Sequence, residues 1–459
     1  MSMIGDGKRE SLVAKIEVSH FNYGAVQVSE FFEIAYAAAS KRLCFFTGTG
    51  FSKAVTANQA PSWQELLEVA CDATLNPEPL KQALFPKDGP NPLSLEEAAQ
   101  VIALELSKVD KDIHNEIAAE ISKLSLMGDN SIIASFLMSN FVDVVTTNYD
   151  NLVEVLSGNG CHSLTPGIPV PRSDARVKVY HVHGSIVSPQ NMVVTSEDYF
   201  KFINGESYFS RKLSTVLHEN TVVILGYSLG DTNLKAIINE YRGFSKSHVI
   251  GSNIFFVSRS LVSQYVKDYY HHCYGIRVLD GMQVHEFFQR LSYHMPAATA
   301  CALPSLSNIR DILQFGKVYT PHYLQSENSF YEIVSSFSAV GVSINHQTVV
   351  ECIGKIIQTK LELTSVNGAW EQYHQMAKWL VYLGSILEIK GTSIEGTYLS
   401  AVKSSMSSMR SGYYLGYSWD AYKCWYSKWN SLISSNRSMI KKFIHQNLPW
   451  PDAHTVVDQ

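Results

Sequence analysis

Four short segments of this 459-residue chain place polar side chains directly after runs of strand-forming apolar residues. The first, FFTGTGFSKAV at 45 to 55, runs into Gly48, Thr49, Gly50 and Ser52. Glycines in such a turn let the backbone approach a phosphate closely, exposed amides form an anion-binding concavity, and Thr49 and Ser52 add hydroxyl donors. The alternative is an ordinary strand-to-helix turn, and the dinucleotide fingerprint G-x-G-x-x-G is not met, because Lys53 stands where its third glycine belongs. The second segment, VDVVTTNYDNLVE at 142 to 154, ends in Asn148, Tyr149 and Asp150. Carboxyl strand ends are where open α/β sheets bind ligands, so Asn148 and Asp150 either face that crevice or cap the next helix.

The third segment, VYHVHGSI at 179 to 186, ends in His181 and His183, expected on one strand face. With no Cys or acidic residue at a zinc spacing, a metal site is not expected. A general base is the better functional reading, since an ordinary histidine pKa of about 6.5 allows proton exchange near neutrality. The fourth segment, TVVILGYSLGDTNLKAII at 221 to 238, supplies a second phosphate-friendly turn with Gly226, Ser228, Gly230 and Asp231, the last equally readable as a helix N-cap. A later run, NIFFVSRS, ends in Ser258 and Arg259, which could reach an adenosine ribose or a phosphate; Arg259 is equally readable as a surface residue.

Positioning such residues requires strands that end side by side. From 41 to about 290, short β-rich runs alternate with longer helical patterns, which predicts an α/β, Rossmann-like parallel sheet flanked by helices. The expected strands are Arg42 to Thr47, Val142 to Thr146, Lys178 to Val182, Thr221 to Gly226 and Asn253 to Val257. Expected helices include Ser62 to Thr74, opened by a Ser62–Glu65 capping box, Ser94 to Leu106 and Asp231 to Tyr241. Pro296 to Pro304 reads as a linker, dividing a domain at 1–295 from a mostly α-helical one at 305–459. That tail holds six of the seven tryptophans and, with 13 basic and 11 acidic residues after position 300, a slightly positive balance.

Charge and composition exclude several classes. A net charge of -5 argues against direct nucleic-acid binding, which needs a strongly basic face. With 46% hydrophobic residues the chain has enough apolar material for a sizeable core. No apolar run approaches the ~20 residues of a membrane-spanning helix, so no membrane association is expected. The seven cysteines are scattered without a C-x-x-C pair, as in a reduced, cytoplasmic protein, and no signal peptide is expected.

Taken in order, GTGFS, TTNYD, HVHG and GYSLGD resemble the sirtuin superfamily, whose pattern is Gly-Ala-Gly-x-Ser, Thr-Gln-Asn-x-Asp, His-Gly and Gly-x-Ser. The resemblance covers roughly residues 30 to 290, and VVTSEDYFKFI at 193 to 203 is similar to the prokaryotic, defence-associated branch. It implies NAD as substrate, with no metal. Gly48, Thr49, Gly50 and Ser52 would then hold the pyrophosphate, Gly226 and Ser228 the adenosine side, and Asp150 the nicotinamide end; Asp231 and Ser258 are expected as further NAD-binding residues. Asn148 and His183 would be catalytic, Asn148 at the ribose and His183 as the base. Thr49 and Thr147 depart from the family's alanine and glutamine, and APSWQELL replaces its Arg-containing segment. The four cysteines of a deacylase zinc ribbon are missing, so the resemblance implies an NAD glycohydrolase yielding nicotinamide and ADP-ribose, an antiphage effector that depletes NAD. The alternatives are an ADP-ribosyltransferase or protein deacylase, or a non-catalytic NAD or ADP-ribose sensor. The aromatic tail is expected to mediate homo-oligomer formation or to dock a partner protein such as a HerA-type ATPase.

Overall fold

A computed structural model describes residues 25–169, 174–204, 215–216, 219–228, 254–315, 319–339, 342 and 344–459. Seven strands form one sheet: β1 (Leu43–Thr47), β2 (Val142–Thr146), β3 (Cys161–Leu164), β4 (Val177–His181), β5 (Thr221–Leu225), β6 (Ile254–Val257) and β7 (Ile276–Leu279). Every neighbouring pair is parallel, in the order β3-β4-β2-β1-β5-β6-β7. β1, β5 and β6 are buried along their whole length, as befits parallel strands covered on both faces.

The chain builds outward from β1 on one side through β2 and β4, then crosses to the other side for β5 to β7. This change of direction puts the carboxyl ends of β2, β1 and β5 at the switch point, where α/β sheets open a crevice. Alternation along β1 feeds two cores. Phe45 packs with Val144, Val223 and Phe255 under the helices Ala25–Ala39, Ser131–Ser139 and Val284–Phe315. Cys44 and Phe46 pack on the opposite face with Val145, Ile224, Phe256 and Tyr270. Between β1 and β2 the helices Trp63–Cys71, Pro77–Leu84, Leu95–Ser107 and Ile113–Ile121 share a separate core around Leu67, Ile102 and Ile117, to which Tyr149 contributes.

The expected strands lie within a residue of those observed, the expected Asn253 falling outside the described residues, and Ser62 and Ser94 each close a capping box. The expected helix Asp231 to Tyr241 also lies outside the described residues. Pro296 to Pro304 is not a linker: it lies inside the helix Val284–Phe315. The alanines between the two prolines are strong helix formers, and Ala298 and Ala302 are buried, so packing overrides the proline penalty.

Beyond it, helices from Pro321 to Val457 enclose the core of the tail. Trp379, Trp425 and Trp429 are buried in it, with Phe330 stacked on Trp379 at 4.9 Å, so much of the aromatic surplus is internal. The tail is also tied to the sheet. Arg277 on β7 donates to both carboxylate oxygens of Glu33 at 2.6 and 2.9 Å, Tyr382 donates to Glu33 at 3.0 Å, and all three residues are buried.

Candidate active site

The turn after β1 is stapled to the turn after β5. The Gly48 amide donates to Leu225 O at 3.0 Å and the Gly50 amide to Gly226 O at 2.9 Å. A Cβ on Gly50 would stand 2.8 Å from Gly226 Cα, and one on Gly226, whose φ is +77°, would stand 2.2 Å from the Phe51 nitrogen. These glycines are therefore required by backbone meeting backbone. The anion-binding concavity expected of the first turn is not made by the Gly48 and Gly50 amides, because β5 and its turn already occupy them. The side chains of the same turn do reach open space: Thr49 and Ser52 line a cavity of about 730 Å³.

That cavity lies over the strand ends and under the helical insertion. Thr147, Asn148, Asp150, His183, Gly226 and Ser228 line it from the sheet; Trp63, Leu66, Leu95, Glu96, Ile121 and Leu124 line it from the insertion and the segments beside it. The charged side chains among the described lining residues are the carboxylates Asp150 and Glu96. Asn148 Nδ2 donates to Ser52 Oγ at 2.8 Å, and Ser52 Oγ donates to Asp150 Oδ2 at 2.7 Å. Because the hydroxyl has one proton and gives it to the carboxylate, it accepts from Asn148, which leaves Asn148 Oδ1 as that side chain's acceptor. Asp150 Oδ1 accepts from the amide of Leu152, the first residue of the next helix, at 3.1 Å, so Asp150 both touches that helix start, whose N-cap is Asn151, and faces the cavity. Burial pushes its carboxyl above the usual range despite these bonds.

The two histidines separate. β4 ends at His181, so His183 lies in the turn beyond and the shared strand face does not continue to it. His181 is buried away from the cavity, with Nε2 2.7 Å from Glu154 Oε1 and Nδ1 3.1 Å from Asn148 O. Burial opposes its charge, but Glu154 outweighs that and holds the imidazole above its ordinary pKa, which makes it a brace for the Asn148 backbone. His183 lines the cavity between the ring edges of Tyr199 at 5.4 Å and Phe202 at 5.2 Å. Burial pushes its pKa down to about 4, so it is neutral at pH 7 and able to accept a proton.

Several lining residues carried no role in the sequence pattern. Trp63 packs on Tyr149 at 5.9 Å, Tyr149 donates to Val193 O at 2.6 Å, and Tyr227 meets Thr147 Oγ1 at 2.6 Å. Trp63 stands in APSWQELL, Tyr199 in VVTSEDYFKFI and Tyr227 in GYSLGD, so position beside a motif was their signal. Ser258, at the end of β6, donates to Ser260 O at 2.7 Å and does not line the cavity; Asp231 lies outside the described residues.

Residues 142–279 match the model of the SIR2-like domain family. The chain carries a SIR2-like domain. The matched residues run from β2 to β7, whereas the sheet that they build has β1 near its centre and draws Thr49 and Ser52 into the same cavity. Among curated proteins, Defense-associated sirtuin 2 of Bacillus subtilis is 25% identical over 224 residues, covering 47% of this chain. The chain spans about one fifth of that relative's length. Among the described residues no helix is long and apolar enough to cross a membrane.

Proposed function

We propose that the SIR2-like domain binds NAD in this cavity and hydrolyses its nicotinamide–ribose bond, releasing nicotinamide and ADP-ribose. The observation that carries the reading is the Asn148–Ser52–Asp150 relay lining the same cavity as the neutral His183. A volume of about 730 Å³ lies within the roughly 300–1,000 Å³ of small-molecule sites. The carboxylates Asp150 and Glu96 suit the cationic nicotinamide ring of NAD, and the hydroxyls of Thr49 and Ser228 suit its phosphates.

As nicotinamide departs, positive charge develops on the ribose, and groups fixed in advance toward that charge act most strongly. Asn148 is locked through Nδ2, so its carbonyl oxygen is the group that steadies the ribose or orients the attacking water. His183, neutral and held by two ring edges, takes up a proton from the sugar or the water. The name of the Bacillus relative, a defence-associated sirtuin, supports a role in defence, and antiphage action by draining NAD is the form of that role proposed for this chain. Assembly through the tail, with itself or with a partner such as an ATPase, belongs to the same proposal; the exposed run Tyr413, Tyr414 and Leu415 supports it.

The test is product analysis by chromatography after incubating the full chain with NAD, with and without an acetylated peptide. Nicotinamide and ADP-ribose in equal amounts, unaffected by peptide, are expected. Acyl-ADP-ribose or ADP-ribosylated acceptor in place of free ADP-ribose would overturn hydrolysis.

A further inference from the structure

The segment VVTSEDYFKFI at 193 to 203 carries residues that the cleavage chemistry leaves unused. Asp198 Oδ2 accepts from the Thr195 amide at 3.0 Å, the Val194 amide at 3.2 Å and the Thr195 hydroxyl at 2.8 Å, while Thr195 Oγ1 accepts from the Asp198 amide at 3.2 Å. This reciprocal cap opens the helix Ser196–Asn204. The same carboxylate oxygen meets His114 Nε2 at 2.9 Å, and His114 Nδ1 faces Asp112 Oδ1 at 3.1 Å. His114 stands in the first turn of the helix Ile113–Ile121, so this pair ties that helix to the helix Ser196–Asn204. Gln100 of the insertion adds a second tie by accepting from the Glu197 amide at 3.2 Å.

From this anchored end, Tyr199 and Phe202 set their rings edge-on against His183, and the Val193 amide donates to His183 O at 2.8 Å. We propose that Asp198 and His114 are positioning residues for His183: together they clamp the helix Ser196–Asn204 to the insertion, so that Tyr199 and Phe202 hold the imidazole in one pose at the cavity wall. The electrostatics agree with the geometry. The Asp198 hydrogen bond holds His114 above the usual histidine range; burial works against the Asp198 charge, but His114 and the Thr195 and Val194 groups hold that carboxyl well below its usual range. A charged hydrogen bond of this kind is worth more than a neutral one, so the clamp outlasts the cap alone.

Only the effect on turnover rests on the NAD-cleavage reading, and the caging can be measured without it. The probe is diethyl pyrocarbonate, with the labelling rate of each histidine read by mass spectrometry in the full chain and in Asp198→Asn, His114→Leu and the milder His114→Gln, which keeps a neutral donor. Labelling at His183 is expected to rise about tenfold in the first two variants and less in the third, as loss of a charged hydrogen bond implies. His181 and His271 should label as before. In parallel, kcat for nicotinamide release should fall with KM nearly unchanged. Unchanged labelling at His183, or a rise at all histidines together, overturns the positioning role. A selective rise at His183 in a protein that releases no nicotinamide leaves the positioning intact and refutes the cleavage reading instead.

Discussion

Replacing His183 by glutamine removes a buried titrating group while keeping a polar side chain of similar size, and its consequence for stability can be worked out. Burial holds the native His183 at about 4, against 6.5 for the ordinary group. As pH falls, the unfolded chain takes up its proton first and the native chain resists. Stability is therefore full above about pH 7 and is lost between there and pH 4. The gap corresponds to about 3 kcal/mol, of which about 2 kcal/mol is lost by pH 5. His271 and His374 are also pushed down to about 4 by burial, but both chains share that loss, so it cancels in the comparison. The assay is urea unfolding of the wild type and His183→Gln near pH 7.5 and near pH 5. The wild type should lose about 2 kcal/mol more than the variant over this range. Parallel losses would refute the claim that His183 is buried and neutral.

Asn148→Ala should lower nicotinamide release by ~100-fold or more while leaving the unfolding midpoint nearly unchanged, because the group acts on the reacting sugar; a variant with wild-type turnover removes Asn148 from the mechanism. His183→Ala should act on turnover and His181→Ala mainly on stability, since the latter leaves Glu154 without its partner; the reverse split, read from kcat and melting temperature, would mean that the base has been misplaced. Gly226→Ala should destabilise by at least about 1 kcal/mol and abolish turnover, because its Cβ would meet the Phe51 nitrogen at a positive φ; a wild-type melting curve would contradict the stapled turns. Arg277→Leu should cost roughly 3–5 kcal/mol by stranding buried Glu33, and Tyr382→Phe only about 1 kcal/mol; equal effects in chemical denaturation would deny that the triad works as described.

The sheet was legible because its central strands are dominated by apolar, β-branched and aromatic residues, and VDVVT could be bounded to the residue despite Asp143. β3 and β7 were missed: CHSL is a half-exposed edge strand with little apolar content, and IRVL carries an arginine whose partner, Glu33, lies at the far end of the sequence. The motif residues Ser52, Asn148, Asp150 and His183 were legible as strand ends, and the structure brings them around one cavity. Which histidine faced that cavity was not settled by the residues, because it depends on Glu154 drawing His181 the other way. The wall opposite was not legible either, since Trp63, Glu96 and Leu124 reach the site only through packing of the insertion's helices. Pro296 and Pro304 misled because a proline penalty is local, whereas burial of Ala298 and Ala302 is a tertiary effect.

Cleavage of the nicotinamide–ribose bond is the step proposed for this cavity. The measurement that meets it most directly is nicotinamide released per NAD consumed by the purified full chain, beside Asn148→Ala folded to the same circular-dichroism spectrum. One nicotinamide for each NAD lost is expected in the wild type and almost none in the variant. NAD bound by both proteins with no nicotinamide from either, or released equally by both, would contradict it.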